Sequence, residues 1–318
     1  MALVCGFNTA MRILVVGAGA VGGYFGGRLA VAGRDVTFLG RARHAETARK
    51  HGLHLVSPHG NAVVHPQVVL AAQLTGSYDL VMLCIKAYSL EAAIGDIAVA
   101  VGPSTMILPL LNGMRHIDRL VQRFGEERVL GGACFIAVDV DPDDRIVQLT
   151  EIHRLVYGER NGEASARIAA LDTALQGAGF EARSSDQILQ VMWEKWVMLA
   201  SLGAVTCLLR GHIGEIAAVP RGADLARDIL AEASAISRAC GYLPGAAFLA
   251  RTEKMLTQEG SVLTSSMYRD MSRNAPVEVE QILGDLLERG RGVGVSTPLL
   301  EAACANLRVY EARRVKQI

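Results

Sequence analysis

The strongest constraint on the fold lies in residues 12–22, where an apolar run leads directly into three glycines. Residues 13–16 are Ile, Leu, Val and Val, which is typical of a buried parallel strand. Gly17, Gly19 and Gly22 follow in G-x-G-x-x-G spacing. Gly17 would allow a tight turn, Gly19 a close approach of the backbone to a pyrophosphate, and Gly22 close packing of the next helix. The sequence therefore predicts a dinucleotide-binding strand–turn–helix unit.

The residues around this turn also predict which cofactor binds. A helix over 21–32 and a strand over 35–39 follow, and Arg41 comes just after that strand. An NAD site would place an acidic residue there, and Asp35 comes too early. A guanidinium suits a 2′-phosphate, so we expect NADPH, the alternative being a solvated arginine at a helix start. The turn residues expected to bind the cofactor are Gly17, Ala18, Gly19, Ala20, Val21 and Gly22.

Composition excludes several classes of partner. The 318 residues suffice for two domains, and 32 basic residues balance 32 acidic ones, so no charge excess points to nucleic acid. The uncharged apolar stretch 196–209 is too short to cross a membrane. Six scattered cysteines indicate reduced thiols in a cytoplasm. Residues 1–10 lack a basic region and look like an extension rather than a signal peptide, with Met11 an alternative start.

Periodicity divides the chain into an α/β part and a helical part. We predict strands over 78–85 and 105–111, two short strands within 53–70, an antiparallel pair over 129–138 and 145–150, and a strand over 155–158. Helices are expected over 43–51, 89–101, 115–124 and 163–177. From residue 186 the pattern is helical, over 187–210, 221–240, 244–258, 265–273, 277–289 and 298–315. The predicted domains are thus 11–185, binding the cofactor, and 186–318, all-α.

Several polar residues are candidates for a site, each with a simpler alternative. Lys86 and Asn112 follow predicted parallel strands, at the sheet edge where ligands bind, or are ordinary loop residues. Lys195 precedes the apolar stretch and points either into a cleft or out to solvent. Ser266 and Glu278 would be surface residues if judged alone. His51, His54, His59 and His65 lie close in sequence, but without acidic or cysteine partners at ligand spacing, so we expect surface histidines and no metal.

Taken together, these motifs resemble the ketopantoate reductase (2-dehydropantoate 2-reductase) family. The matches, in order, are Gly17-x-Gly19-x-x-Gly22, Ile-Lys86-Ala, Asn112-Gly113-Met114, Trp193-Glu-Lys195, Ser265-Ser266-Met267 followed by Asp270, and Glu278. The resemblance implies an NADPH-binding Rossmann domain, a helical C-terminal domain and an active site in a cleft. It implies that Lys195 and Glu278 are catalytic, that Ser266, Asn112 and Lys195 bind substrate, and that Arg41, Lys86 and Asn112 bind cofactor.

The chain departs from the family at two positions that bear on the substrate. The biosynthetic reductases carry pocket asparagines four and eight residues after the lysine, and this chain has Leu199 and Gly203. Such steps stay on one helix face, so the pocket should be more apolar here. We expect a cytoplasmic reductase of a 2-oxo acid, with ketopantoate reduced to pantoate, on the route to pantothenate and coenzyme A, as the favoured reaction. A paralogue acting on a less hydroxylated 2-oxo acid and a non-catalytic NADP(H)-sensing protein are the alternatives, and a homodimer and a monomer are both allowed.

Overall fold

The computed structural model describes residues 11–40, 46, 48 and 50–316, and these form two compact units. The first unit contains the described residues up to Leu111 together with His116–Ile188. The second contains Asn112–Arg115 and the chain from Leu189 onward. The expected fold class, a Rossmann-type α/β region followed by an all-α region, is confirmed.

Two five-stranded sheets carry the described strands of the first unit. The first sheet is parallel in the order β5-β2-β1-β6-β7. The second has the order β10-β9-β3-β4, with β8 antiparallel to β9. The strand bounds are β1 (Arg12–Val16), β2 (Asp35–Leu39), β3 (Leu53–Val56), β4 (Ala62–Val64), β5 (Gln67–Val69), β6 (Leu80–Leu83), β7 (Met106–Pro109), β8 (Gly131–Val140), β9 (Ile146–Gly158) and β10 (Glu181–Ser184).

The first helix of this unit packs between the two sheets because glycines, which lack side chains, lie on the two faces that contact the sheets. The helices here are α1 (Ala20–Val31), α2 (Leu90–Ile97), α3 (Arg115–Phe124), of which Arg115 groups with the second unit, and α4 (Ala166–Leu175). A Cβ on Gly26 would lie 2.7 Å from the ring of Phe38 in the first sheet, and one on Gly23 would lie 2.0 Å from Ile146 in the second. Side chains at these positions would push the sheets apart.

Differences from the predicted strands have local causes. The stretch 53–70 holds three short strands, because β3 and β4 form a hairpin in the second sheet and β5 pairs with β2 in the first. The two strands predicted at 145–150 and 155–158 are one strand, β9. The polar residues between them stay extended because Arg154 pairs with Phe135 of β8 and with Glu181 of β10, to which it also forms an ion pair of 2.7 Å. Of the predicted helix 43–51, residues 43–45, 47 and 49 lie outside the described residues.

The regular elements described in the second unit are all helical. They are α5 (Ile188–Leu209), of which Ile188 groups with the first unit, α6 (Ile213–Ala218), α7 (Gly222–Ala239), α8 (Ala246–Leu256), α9 (Ser266–Ser272), a π-helical turn (Glu280–Gly284), α10 (Asp285–Gly292) and α11 (Pro298–Lys316). By length and composition α5 could cross a membrane, yet 67% of its most apolar window is buried within the protein. That burial fits the core helix of a bundle.

Candidate active site

The glycine turn has the geometry that its spacing predicts. Gly17 has φ +98°, a conformation that side chains rarely adopt, and its amide donates to the carbonyl of Leu39 at 3.2 Å. A Cβ on Gly22 would lie 2.0 Å from the carbonyl oxygen of Gly17 and 2.8 Å from the Cβ of Cys84. The helix can therefore approach the strand this closely only without a side chain at position 22.

Gly19 differs from the other two glycines because open space surrounds it. A Cβ there would have no heavy atom within 4 Å, and the backbone has an ordinary φ of −77°. Gly19 is the N-cap of α1, whose first turn, including Ala20 and Val21, carries no acidic side chain. The unpaired amides and the positive dipole end of such a turn suit a phosphate. These features fit a dinucleotide pyrophosphate, with Ala18 and Gly19 at its approach, and binding by these residues stays a prediction.

Lys86 lies at the sheet edge where the strand order reverses. The chain runs outward from β1 through β2 to β5, then returns to place β6 and β7 on the other side of β1. In parallel sheets of this kind, ligands bind beyond the carboxyl ends of the strands at that reversal. Lys86 follows β6 by three residues, is exposed, and is the N-cap of a 3₁₀ turn, Ala87–Ser89. Its position fits the predicted role in cofactor binding.

The predicted contact with the 2′-phosphate falls outside the described residues. The strand that should present it, β2, ends at Leu39, and the amide of Gly40 donates to the carbonyl of Val69 at 3.1 Å. Arg41 comes next and is not among the residues described. The preference for NADPH over NADH is therefore supported by the sequence alone.

Lys195 and Glu278 are buried charged residues of the second unit. Lys195 is 8% exposed and Glu278 is 7% exposed, so neither is the surface residue that the simpler alternative predicted. Charged side chains are seldom this buried unless they are paired or hydrogen-bonded. Asp285, at 5% exposed, is a third buried charged residue of this unit, and it lies 3.3 Å from Arg289 and 4.0 Å from Arg115. The burial of Lys195 and Glu278 fits the predicted catalytic roles, which stay a prediction.

Ser266 begins α9, and its neighbour Ser265 takes the structural role. The hydroxyl of Ser265 accepts the amide of Tyr268 at 3.0 Å and pairs with Thr206 of α5 at 2.8 Å. Ser265 therefore caps α9 and fixes it against α5. Ser266 is half-buried and is not needed for the cap, so its hydroxyl fits the predicted contact with substrate.

Asn112 lies in a short turn that belongs to the second unit. Its carbonyl accepts the side-chain amide of Gln281 at 2.7 Å. Gly113 follows with φ +77°. The structure therefore places Asn112, Lys195, Ser266 and Glu278 in one compact unit, and the glycine turn and Lys86 in the other.

Three contacts join the elements that carry these four residues. Trp196, next to Lys195, donates its indole N–H to the carbonyl of Ile282 at 2.9 Å, one helical turn after Glu278. Thr206 of α5 meets the start of α9 as described, and Gln281 holds Asn112. Sequence reasoning missed the contacts of Gln281 and Trp196, and the packing of Met267 beside Gly203 of α5, because each joins residues far apart along the chain. The available signal for Trp196 and Met267 was that they directly follow Lys195 and Ser266 in the sequence motifs.

Comparisons with known proteins cover nearly the whole chain. Residues 13–162 match the family model described as ketopantoate reductase PanE/ApbA, and residues 187–311 match the model for its C-terminal domain. A protein of Bacillus subtilis named uncharacterized oxidoreductase YkpB is 37% identical over 96% of this chain and 100% of its own. A 2-dehydropantoate 2-reductase of Mesorhizobium japonicum is 29% identical over 96% of this chain and 99% of its own.

Solved structures agree on the fold. The 2-dehydropantoate 2-reductase of Geobacter metallireducens superposes with a TM-score of 0.86 at 28% identity, covering 94% of this chain and 99% of its own. A D-mandelate dehydrogenase solved with NADH and anilino(oxo)acetate gives 0.85 at 22% identity, covering 96% and 99%. The second likeness shows the fold alone. The sequence matches and the fold together establish that this chain is an oxidoreductase belonging to the ketopantoate reductase family.

Proposed function

We propose that the protein reduces a 2-oxo acid to the corresponding 2-hydroxy acid with NADPH in the cytoplasm. The favoured substrate is 2-dehydropantoate (ketopantoate), which gives pantoate for pantothenate and coenzyme A biosynthesis. The observation that carries the proposal is the burial of Lys195 and Glu278 in the unit that also holds Asn112 and Ser266. A protein that merely sensed NADP(H) would have no use for a buried ammonium and carboxylate in addition to its nucleotide site.

The residue types suit each step of the reaction. NADPH, when bound, supplies the hydride, and Gly17, Gly19, Gly22, Lys86 and Arg41 are the residues proposed to hold it. Negative charge develops on the ketone oxygen as the carbonyl carbon is reduced.

The ammonium of Lys195 would stabilise that charge by a hydrogen bond and then deliver the proton that completes the alcohol. Glu278 would orient the ammonium and the substrate. Ser266 and Asn112 would bind polar atoms of the 2-oxo acid.

One contact favours the second candidate, a 2-oxo acid that lacks the hydroxyl group of ketopantoate. A Cβ on Gly203 would lie 2.3 Å from the terminal methyl of Met267, so this methyl occupies the space beside the helix. Leu199 is half-buried one turn earlier on the same side of α5 as Lys195. This face thus offers apolar groups where a substrate hydroxyl would need a hydrogen-bond partner. A site without such a partner discriminates against a hydroxylated substrate.

The experiment that tests both candidates is steady-state NADPH oxidation on a matched pair of substrates. Ketopantoate and 3,3-dimethyl-2-oxobutanoate differ only by the hydroxyl group on C4. A higher kcat/KM with ketopantoate supports the biosynthetic reaction, and a preference for 3,3-dimethyl-2-oxobutanoate supports the apolar alternative. Absence of turnover with these and a wider panel of 2-oxo acids, while NADPH binds, would leave the sensing protein.

Replacing the proposed acid separates catalysis from binding. Lys195→Met keeps an unbranched side chain of similar length and removes the ammonium. We expect kcat to fall by about two to three decades, which corresponds to roughly 3–4 kcal/mol of lost transition-state stabilisation. The dissociation constant for NADPH, followed by the fluorescence of the bound cofactor, should change little. Turnover close to that of the wild type would show that Lys195 is not the acid.

A further inference from the structure

The π-helical turn Glu280–Gly284 departs from the hydrogen-bond pattern of a regular α-helix. The amide of Asp285 donates to the carbonyl of Glu280, five residues back, where a regular α-helix would pair it with Gln281. The carbonyl of Ile282 accepts the indole N–H of Trp196 at 2.9 Å. Turns of this kind are rare and occur frequently at functional sites. This segment contacts α5 through Ile282 and the Asn112 turn through Gln281.

Gln281 contacts the turn at Asn112 with both its side chain and its backbone. Its side-chain amide donates to the carbonyl of Asn112 at 2.7 Å, and Gln281 is only 5% exposed. Its own carbonyl lies so close to Gly113 that a Cβ there would be 2.6 Å away. Gly113 also has φ +77°, so a side chain at position 113 is opposed by both strain and contact. The position of this turn is therefore defined by Gln281.

We propose that Gln281 is a positioning residue for Asn112, which rests on the proposed reductase function. The direction of the Asn112 side chain follows from its backbone, and the bond from Gln281 to its carbonyl fixes that backbone. The same π turn holds Trp196, whose neighbour is Lys195. One segment thus sets the position of an amide and of the helix that carries the ammonium, and catalysis needs such groups to be held to within a fraction of an ångström.

A double-mutant cycle on Gln281 and Asn112 tests the proposal. Gln281→Met keeps the volume and removes the donor, and Gln281→Glu keeps the shape but places an acceptor beside the carbonyl. Each should lower kcat/KM for the 2-oxo acid by roughly three- to tenfold, as expected for one lost hydrogen bond. Gln176→Met is the matched control, because that side chain also donates to a backbone carbonyl, of Ala182 at 3.1 Å, in the first unit. It should leave kcat/KM unchanged.

The decisive measurement is whether the losses of kcat/KM caused by the Gln281 and Asn112 substitutions multiply in the double variant. If Gln281 acts through Asn112, then Gln281→Met should have no further effect on kcat/KM in an Asn112→Ala background. The proposal would be overturned if the two losses of kcat/KM multiply, or if either single variant keeps the kcat/KM of the wild type. Thermal unfolding of each variant identifies a general loss of fold, and the Gln281→Glu variant then replaces Gln281→Met in the cycle. If the wild type reduces no 2-oxo acid, the proposed function is wrong, whatever the role of Gln281. The coupling between Gln281 and Asn112 is then measured with the same variants from the dissociation constant for NADPH.

Discussion

The glycine turn allows fold and cofactor binding to be perturbed separately by the same chemical change. Gly22→Ala would place a methyl group 2.0 Å from the carbonyl oxygen of Gly17, where ordinary contact begins near 3.4 Å. The neighbouring atoms are backbone, so helix α1 must move by about 1 Å or more. Overpacking of this kind typically costs about 1–3 kcal/mol. At about 2.1 cal/mol/K of unfolding entropy per residue, a chain of 318 residues should show a fall of roughly 1.5–5 °C in the midpoint of thermal unfolding.

Gly19→Ala should weaken NADPH binding and leave the stability of the fold almost unchanged. Its Cβ would meet no protein atom within 4 Å, and φ of −77° suits alanine, so we expect the free energy of unfolding to change by less than about 1 kcal/mol. The added methyl would project into the space where we expect the pyrophosphate to approach. The dissociation constant for NADPH should then rise at least about tenfold, equivalent to roughly 1.4 kcal/mol.

The assay pairs fluorescence titration of NADPH with thermal unfolding of the same samples. Gly95→Ala is the matched control, because Gly95 lies in α2 and its Cβ would also have open space. It should bind NADPH like the wild type. The reasoning is refuted if folded Gly19→Ala binds NADPH with wild-type affinity, or if Gly22→Ala unfolds at the wild-type temperature.

Two further predictions address cofactor choice and pH. Arg41→Ala should raise the dissociation constant for NADPH by roughly ten- to a hundredfold and leave that for NADH nearly unchanged, since a hydrogen bond to a charged group contributes about 1.5–3 kcal/mol; equal losses in the two titrations would remove the argument. Burial, then the nearby His59 and Arg28, lower the pKa of His153, whose ring stacks on His59 at 3.7 Å and pairs with Tyr24 at 2.7 Å. Because the unfolded chain takes up this proton more readily, the stability of the folded state should fall as pH drops below about 6.5. Urea unfolding at a series of pH values should show a smaller drop for His153→Gln, and an unchanged drop would contradict the assignment.

Residues with strong local signals were predicted well. β2 and α3 have the bounds that the sequence predicts, because apolar periodicity and the glycines that flank them leave few alternatives. β10 was missed, since Glu181–Ser184 is polar and largely exposed and is held by pairing with β9. α6 was missed too, since six residues are too few for a clear periodic pattern.

The candidate site divides in the same way. The sequence motifs identified the candidate catalytic and binding residues. The sequence of residues 278–285 does not distinguish a π turn from an ordinary α-helix, because the two differ only in which backbone carbonyl accepts each amide. The support from Gln281 likewise depends on a partner, Asn112, that lies far away along the chain. Met267 against Gly203 is a third case, in which packing decides what a missing side chain means.

Asn112–Arg115 group with the later helices, so the chain cannot be divided into two complete units by a single cut. A fragment beginning at residue 186 would lack this tetrapeptide, although the rest of its helical bundle would be intact. Gln281 would lose the carbonyl that it binds, and Asp285 and Glu288 would lose Arg115, which lies 4.0 and 2.8 Å from them. Expressing the two halves of the polypeptide separately would therefore not regenerate two self-sufficient pieces, and truncation data from such fragments would underestimate what the helical half contributes in the intact enzyme.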